Sequence, residues 1–214
     1  MKQLIKQIIK NTPLYHPLRN RVVKSRDAKE LIEWERKGKP VPPPHIVKQR
    51  TLQTYSIKYG LKIMVETGTL FGDMVEAMKK VFDRIYSIEL DKGLYEEARK
   101  RFKGEKHIEL ICGDSGFEII NLMNKIDEPA LFWLDAHFSG GITAKGETDT
   151  PIYKELSTIL NAPDRGHVMI IDDARSFGSD RDYPGMDELI EFVKSKRSNL
   201  DIAVQDDSIR ITPK

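Results

Sequence analysis

Lys62-Ile-Met-Val-Glu66-Thr-Gly68-Thr-Leu-Phe-Gly72-Asp73 is the stretch that decides how this chain folds. A short apolar run closes on Thr67-Gly68, and a helical pattern from Asp73 to Phe82 follows. The unit then repeats. Arg84 to Leu90 reads as a strand and Asp91 to Phe102 as a helix; His107 to Cys112 is a strand and Gly116 to Asn124 a helix. Ala130 to Asp135 and His167 to Asp172 are strands, with helices at Pro151 to Leu160 and Met186 to Lys196. Strands that are apolar at nearly every position must be covered on both faces, so the alternation predicts a doubly wound α/β layer around a parallel sheet. The last pair differs, because Leu200 to Val204 and Ser208 to Thr212 are joined only by Gln205-Asp-Asp207, too little chain for a crossover helix. They are expected to form an antiparallel hairpin, the sixth and seventh strands.

Upstream of this pattern lies a different kind of sequence. Across the 214 residues, 35 Lys+Arg nearly balance 33 Asp+Glu, a formal charge of +2. Residues 1–60, however, hold 14 basic and 4 acidic side chains, so the remainder carries 2 − 10 = −8. A helix is expected from Asp27, with Asp27 as its cap, to Gly38; Pro40 to Pro44 is an extended boundary, and His45 to Tyr59 a further helix. The predicted organisation is a basic helical N-terminal arm, residues 1–43, and an α/β domain, residues 44–214. At the very start, Leu4, Ile5, Ile8 and Ile9 share a helical face beside Lys2, Lys6 and Lys10. Such a short helix has little area to anchor in an anionic membrane surface, so packing on its own domain or on a second copy, as a homodimer, is favoured. Cys112 is the single cysteine, which excludes a disulfide scaffold and fits a reducing compartment. No apolar run suggests a signal peptide or membrane span, and a cytoplasmic protein is expected.

Ligands of open parallel sheets bind beyond the carboxyl ends of the strands. Here every one of those ends carries an acid: Glu66, Glu89, Asp114, Asp135 and the pair Asp172-Asp173. Gly68 and Gly72 permit a close backbone turn. Glu66 and Asp73 flank it, where a dinucleotide would place its pyrophosphate, so a cofactor with a cationic head fits better. Glu89 is placed to accept from a ribose diol.

Glu66-x-Gly68-x-x-x-Gly72, Glu89 closing the second strand, Gly113-Asp114 closing the third and the terminal hairpin together resemble the class I S-adenosylmethionine-dependent methyltransferases over residues 45–214. The resemblance implies a Rossmann-like sheet of seven strands. It implies further that the loop Glu66, Thr67, Gly68, Thr69 and Gly72 holds the methionine end of S-adenosylmethionine. Glu89 with Leu90 would take the ribose, and Gly113, Asp114 and Ser115 the adenine, with Asp135 beside the cofactor. Many members have a further glycine where Leu70 stands.

The metal-dependent small-molecule O-methyltransferases within that family bind a divalent cation through acids placed like Asp135, Asp172 and Asp173. Neighbouring strand ends lie about 4.8 Å apart, so these carboxylates can converge, and an all-oxygen set suits a hard ion such as Mg²⁺. The other reading has Asp172 or Asp173 capping the next loop and Asp135 orienting the cofactor. His137, two residues beyond Asp135, is the candidate general base, with an ordinary hydrogen-bonded loop histidine as the alternative. The polar loop 138–150 suits a polyhydroxylated, sugar-like substrate. The expected activity is O-methylation of a small hydroxylated molecule with a divalent metal assisting. The alternatives are a degenerate methyltransferase-fold binding protein and an NAD(P)-dependent oxidoreductase. No Asn/Asp-Pro-Pro-aromatic motif follows the fourth strand, and the basic arm has few aromatics, which argues against a nucleic-acid substrate.

Overall fold

The computed structural model describes residues 15–135, 151–180 and 183–214, with side chains from residue 26 onward. The chain divides into two compact units, Met1–Lys48 and Gln49–Lys214.

In the first unit, α1 (Tyr15–Arg36) is one continuous helix, so the start expected at Asp27 is corrected to Tyr15. Pro17 falls in its first turn, where no intrahelical N–H is required, and so does not break it. Asp27 is buried within the helix beside the Arg26 guanidinium, at 3.5 Å, rather than at its end. Leu31 and Trp34 pack with Val47. Trp34 Nε1 donates to Pro40 O at 2.7 Å, which holds the proline-rich segment against the helix that precedes it. The predicted helix around Leu4 to Ile9 lies outside the described residues.

The helix α2 (His45–Tyr59) leads into the second unit. There β1 (Ile63–Thr67), α3 (Asp73–Met78), β2 (Arg84–Glu89), α4 (Lys92–Arg101), β3 (Ile108–Cys112), α5 (Ser115–Met123) and β4 (Ala130–Leu134) follow. After them come α6 (Ile152–Asn161), β5 (Val168–Ile171), a 3₁₀ turn (Ala174–Ser176), α7 (Met186–Lys196), β6 (Leu200–Gln205) and β7 (Ser208–Pro213). Among the described residues the sheet has seven strands in the order β3-β2-β1-β4-β5-β7-β6, parallel except for β7. Helix α3 stops well short of the expected Phe82: Val81 N and Phe82 N both turn back to Met78 O, and Phe82 drops into the core.

Alternation along the strands builds two cores. Val65, Phe132, Leu134, Met169 and Ile171 face α5, α6 and α7, while Met64, Leu131, Trp133 and Ile170 face Leu52 of α2 and the helices α3 and α4. Strands β1, β4 and β5 are buried at every position. Each such Leu, Ile or Phe contributes roughly 1.5–3 kcal/mol by leaving water. Strand order reverses between β1 and β4, so the crevice lies at the tips of those two strands. The hairpin closes on Asp206 and Asp207, with φ of 50° and 60°, the two left-handed positions of a type I′ turn. The expected three-residue connection is therefore a two-residue one, and the turn stands at the same end of the sheet as the tip of β5.

Candidate active site

Four N–H groups of the turn after β1 are spent inside the protein. Gly68 N and Thr69 N donate to Ile88 O at 3.0 and 3.2 Å, and Gly72 N to Thr69 O at 2.7 Å. Leu70 N donates to Glu89 Oε2 at 2.7 Å. A pyrophosphate would need such groups as donors, and the six-residue helix α3 adds little dipole. This, rather than the acids, is what weighs against a dinucleotide. Asp73 is ion-paired with Arg101 Nη1 at 2.7 Å, which offsets part of the repulsion expected from its charge. Leu70 takes φ +49°, the left-handed conformation for which a glycine is the easier residue. Gly72 also takes a left-handed φ, +71°, and a Cβ there would stand 2.6 Å from Phe102 Cε2.

Glu66, level with Ser87 near the tip of β1, and Glu89, which ends β2, are both buried. Glu66 Oε2 accepts from Ser87 Oγ at 2.5 Å, and Ser87 Oγ lies 2.6 Å from Thr69 Oγ1. Burial pushes the Glu66 carboxyl up to about 8, reinforced by the charges of Asp135, Glu89 and Asp73 and opposed by the Ser87 bond. It is protonated near neutral pH until a cation stands beside it. Burial raises Glu89 as well, against the backbone N–H groups that hold it. Its Oε2 takes Leu70 N and its Oε1 takes Asp91 N at 2.9 Å, so the carboxylate is fixed in place by the backbone. Leu90 follows it, half-buried.

On the β3 side, Gly113 N donates to Glu89 O at 2.9 Å, joining the tips of β2 and β3. Asp114 Oδ1 caps α5 by accepting from Gly116 N at 2.8 Å. Ser115 is buried. Asp135 N donates to both Thr67 O and Thr67 Oγ1, at 3.3 and 3.2 Å, joining the tips of β1 and β4. Glu155 of α6 is wholly buried, and burial pushes its carboxyl up to about 7, opposed by the hydroxyls of Ser115 and Thr67. The residue went unnoticed in the sequence because it falls at a core position of an amphipathic helix, between Ile152 and Leu156.

Beyond β4 and β5, oxygens of Asp135, Asp172 and Asp173 all lie within 4.8 Å of one another. Asp172 and Asp173 are buried, and Asp173 has φ +54°. Asp173 Oδ1 accepts from Arg175 Nη1 at 2.8 Å, and the same guanidinium is paired with Asp207. Asp207 Oδ1 in addition accepts from Arg175 N at 2.9 Å, so the hairpin turn braces the acidic corner. Burial raises the phenol of Tyr183, and the charges of Asp173, Asp135, Asp180 and Asp172 raise it further. Arg175, Tyr183 and Asp207 carried no motif that sequence reasoning could single out. His137 and the loop 138–150 lie outside the described residues.

No family model and no curated protein matches the chain. Solved structures do. The O-methyltransferase TomG from Streptomyces achromogenes, involved in tomaymycin synthesis and solved with S-adenosylmethionine, is 16% identical, with 87% of this chain and 88% of that one covered and a TM-score of 0.57. An O-methyltransferase from Bacillus cereus, in complex with S-adenosylhomocysteine, is 17% identical over 89% and 91%, with a TM-score of 0.55. The N-methyltransferase NodS from Bradyrhizobium japonicum is 14% identical over 78% and 95%, with a TM-score of 0.51. Among the described residues no helix is long and apolar enough to cross a membrane. Sheet order, terminal hairpin and these likenesses agree: the chain has the fold of the class I S-adenosylmethionine-dependent methyltransferases.

Proposed function

We propose that this chain is an S-adenosylmethionine-dependent O-methyltransferase acting on a small hydroxylated, sugar-like molecule, with residues 44–214 as the catalytic domain and 1–43 as an appended basic arm. The observation that carries the reading is the row of buried or fixed carboxylates at the strand tips, beside a turn four of whose N–H groups are already spent. Glu89, held by backbone N–H groups, accepts from the ribose hydroxyls. Glu66 regains its charge against the cationic methionine end. Gly113 and Asp114 border the adenine. Asp135, at the β1/β4 crevice, stands between cofactor and acceptor.

The corner of Asp135, Asp172 and Asp173 suits a hard divalent cation such as Mg²⁺, because its donors are all oxygen and close enough to share one ion. When bound, the ion would acidify an acceptor hydroxyl. The Arg175 guanidinium keeps Asp173 compensated meanwhile. His137 is the proposed base for the acceptor proton. Calorimetry with S-adenosylhomocysteine tests the central claim: binding in the micromolar range is expected, and none at high micromolar concentration refutes it. For the metal, Mn²⁺ titrated into the wild type and into an Asp172→Asn/Asp173→Asn variant should show saturable binding lost in the variant; equal responses would refute it.

A further inference from the structure

Asp173 has a cation built against it. Arg175 Nη1 donates to Asp173 Oδ1 at 2.8 Å, and the second hydrogen of the same nitrogen goes to Asp207 Oδ2. This differs from a loose surface pairing, because the Asp207 side chain is only 1% exposed. Its Oδ1 accepts from Arg175 N, and its main-chain O from Ala174 N, both at 2.9 Å. Three bonds from one residue of the hairpin turn thus fix where the guanidinium stands. The neighbouring acid of that turn, Asp206, is paired with Arg210 at 3.3 Å. The consequence lies in how many oxygens Asp173 can give. A carboxylate has two, and with Oδ1 held by the arginine it adds one to an ion without giving up the pair. Mg²⁺ demands a near-octahedral shell at about 2.0–2.1 Å, which single carboxylate oxygens and waters satisfy, whereas Ca²⁺ takes about six to eight oxygens and readily uses both from one carboxylate.

We propose that Arg175 is a specificity-determining residue of the acidic corner: by holding Asp173 Oδ1 it restricts Asp173 to one oxygen and so favours Mg²⁺ over Ca²⁺. This rests on the reading of Asp135, Asp172 and Asp173 as the ligands of a divalent ion. Arg175 touches no ion and acts through Asp173. Its positive charge also weakens the binding of every divalent ion, but it does so alike for two ions of the same charge. The preference between Mg²⁺ and Ca²⁺ therefore reports the oxygen count and not the charge.

The test is a competition experiment on the full chain. Mn²⁺, which binds the same kind of oxygen site, is followed by the paramagnetic resonance of the free ion, and Mg²⁺ and Ca²⁺ are titrated in to displace it. The proteins compared are the wild type, Arg175→Met and Arg175→Ala. Both variants remove the donor to Asp173, and the arginine side chain is 41% exposed, so either suffices if the other does not fold. In them Ca²⁺ should gain on Mg²⁺ as a competitor by at least fivefold relative to the wild type. Tighter binding of all three ions with the preference unchanged within twofold would be an effect of charge alone and would overturn the proposal. The Asp172→Asn/Asp173→Asn variant separates this from the reading beneath it. Mn²⁺ binding that survives in that variant, or is absent from the wild type at low millimolar concentration, would mean that the corner is not the ion site, and both fall. Binding lost there, with an unchanged preference in the Arg175 variants, overturns the role of Arg175 and leaves the ion site standing.

Discussion

Replacing Glu66 with Gln should make the protein more stable and its cofactor site weaker. The carboxyl has its folded value at about 8 against an ordinary 4.5. Between those limits the native state holds a proton that the unfolded chain has lost, so stability falls as pH rises through the window and is untouched below it. Each unit is equivalent to about 1.4 kcal/mol, and the whole interval to something of order 5 kcal/mol. Gln is nearly isosteric, does not titrate, and offers Ser87 the same kind of acceptor. In urea unfolding, the Glu66→Gln and wild-type curves should be close at pH 5 and diverge steadily up to pH 8.5, with the variant the more stable. The same proton must leave when a cationic cofactor binds near pH 7. Calorimetry of S-adenosylmethionine in buffers of different ionisation enthalpy should then report proton release in the wild type and none in the variant, together with weaker binding. Parallel stability curves across that pH range would refute the reasoning, because they would mean that Glu66 ionises in the folded protein as it does in water.

Three further outcomes are expected. His167 is buried at the start of β5 with Nδ1 accepting from Ala130 N at 3.1 Å, and burial, helped by Arg197 and Arg165, lowers its pKa to about 4. Below pH 6.5 the unfolded chain takes up a proton that the native one refuses, so about 3 kcal/mol of stability should be lost on the way down to pH 4. His167→Asn, which keeps an acceptor for Ala130, should remove that share of the acid slope in urea titrations. Gly72→Ala combines a left-handed backbone with a Cβ pressed on Phe102, and should destabilise by about 2–4 kcal/mol in thermal or urea unfolding. Leu70→Gly should change stability by less than about 1 kcal/mol, because relief of the left-handed strain offsets the entropy of glycine; a larger loss would show that the Leu70 side chain, not its backbone, matters there.

The strands of the sheet were legible because burial on both faces leaves a mark on every residue, as in Ala130 to Leu134 and Val168 to Ile171. The acids at their tips were legible for the same reason, each standing where an apolar run stops. Helix ends were less so. Asp27 followed by Glu30 is chemically a good start signal, but Pro17 is an equally good one, and local sequence does not say which the chain uses. What could not be read at all was long-range pairing. Arg101 with Asp73 and Arg175 with Asp207 join residues 28 and 32 positions apart, and nothing in either member of a pair announces the other. The expected charge at the first turn went astray for that reason. Asp73 is acidic in the sequence but compensated in space.

The C-terminal hairpin also bears on how the chain is made. Strand β7 covers the outer edge of β5, whose four residues are wholly apolar, and its turn supplies Asp207 to the corner formed by residues 173 and 175. A nascent chain that has emerged only through α7 would therefore present Val168–Ile171 as an open, sticky sheet edge, with its acidic corner unbraced. Completion of the last strand pair would at one stroke shield that edge from other chains and brace the corner where the acceptor is proposed to bind.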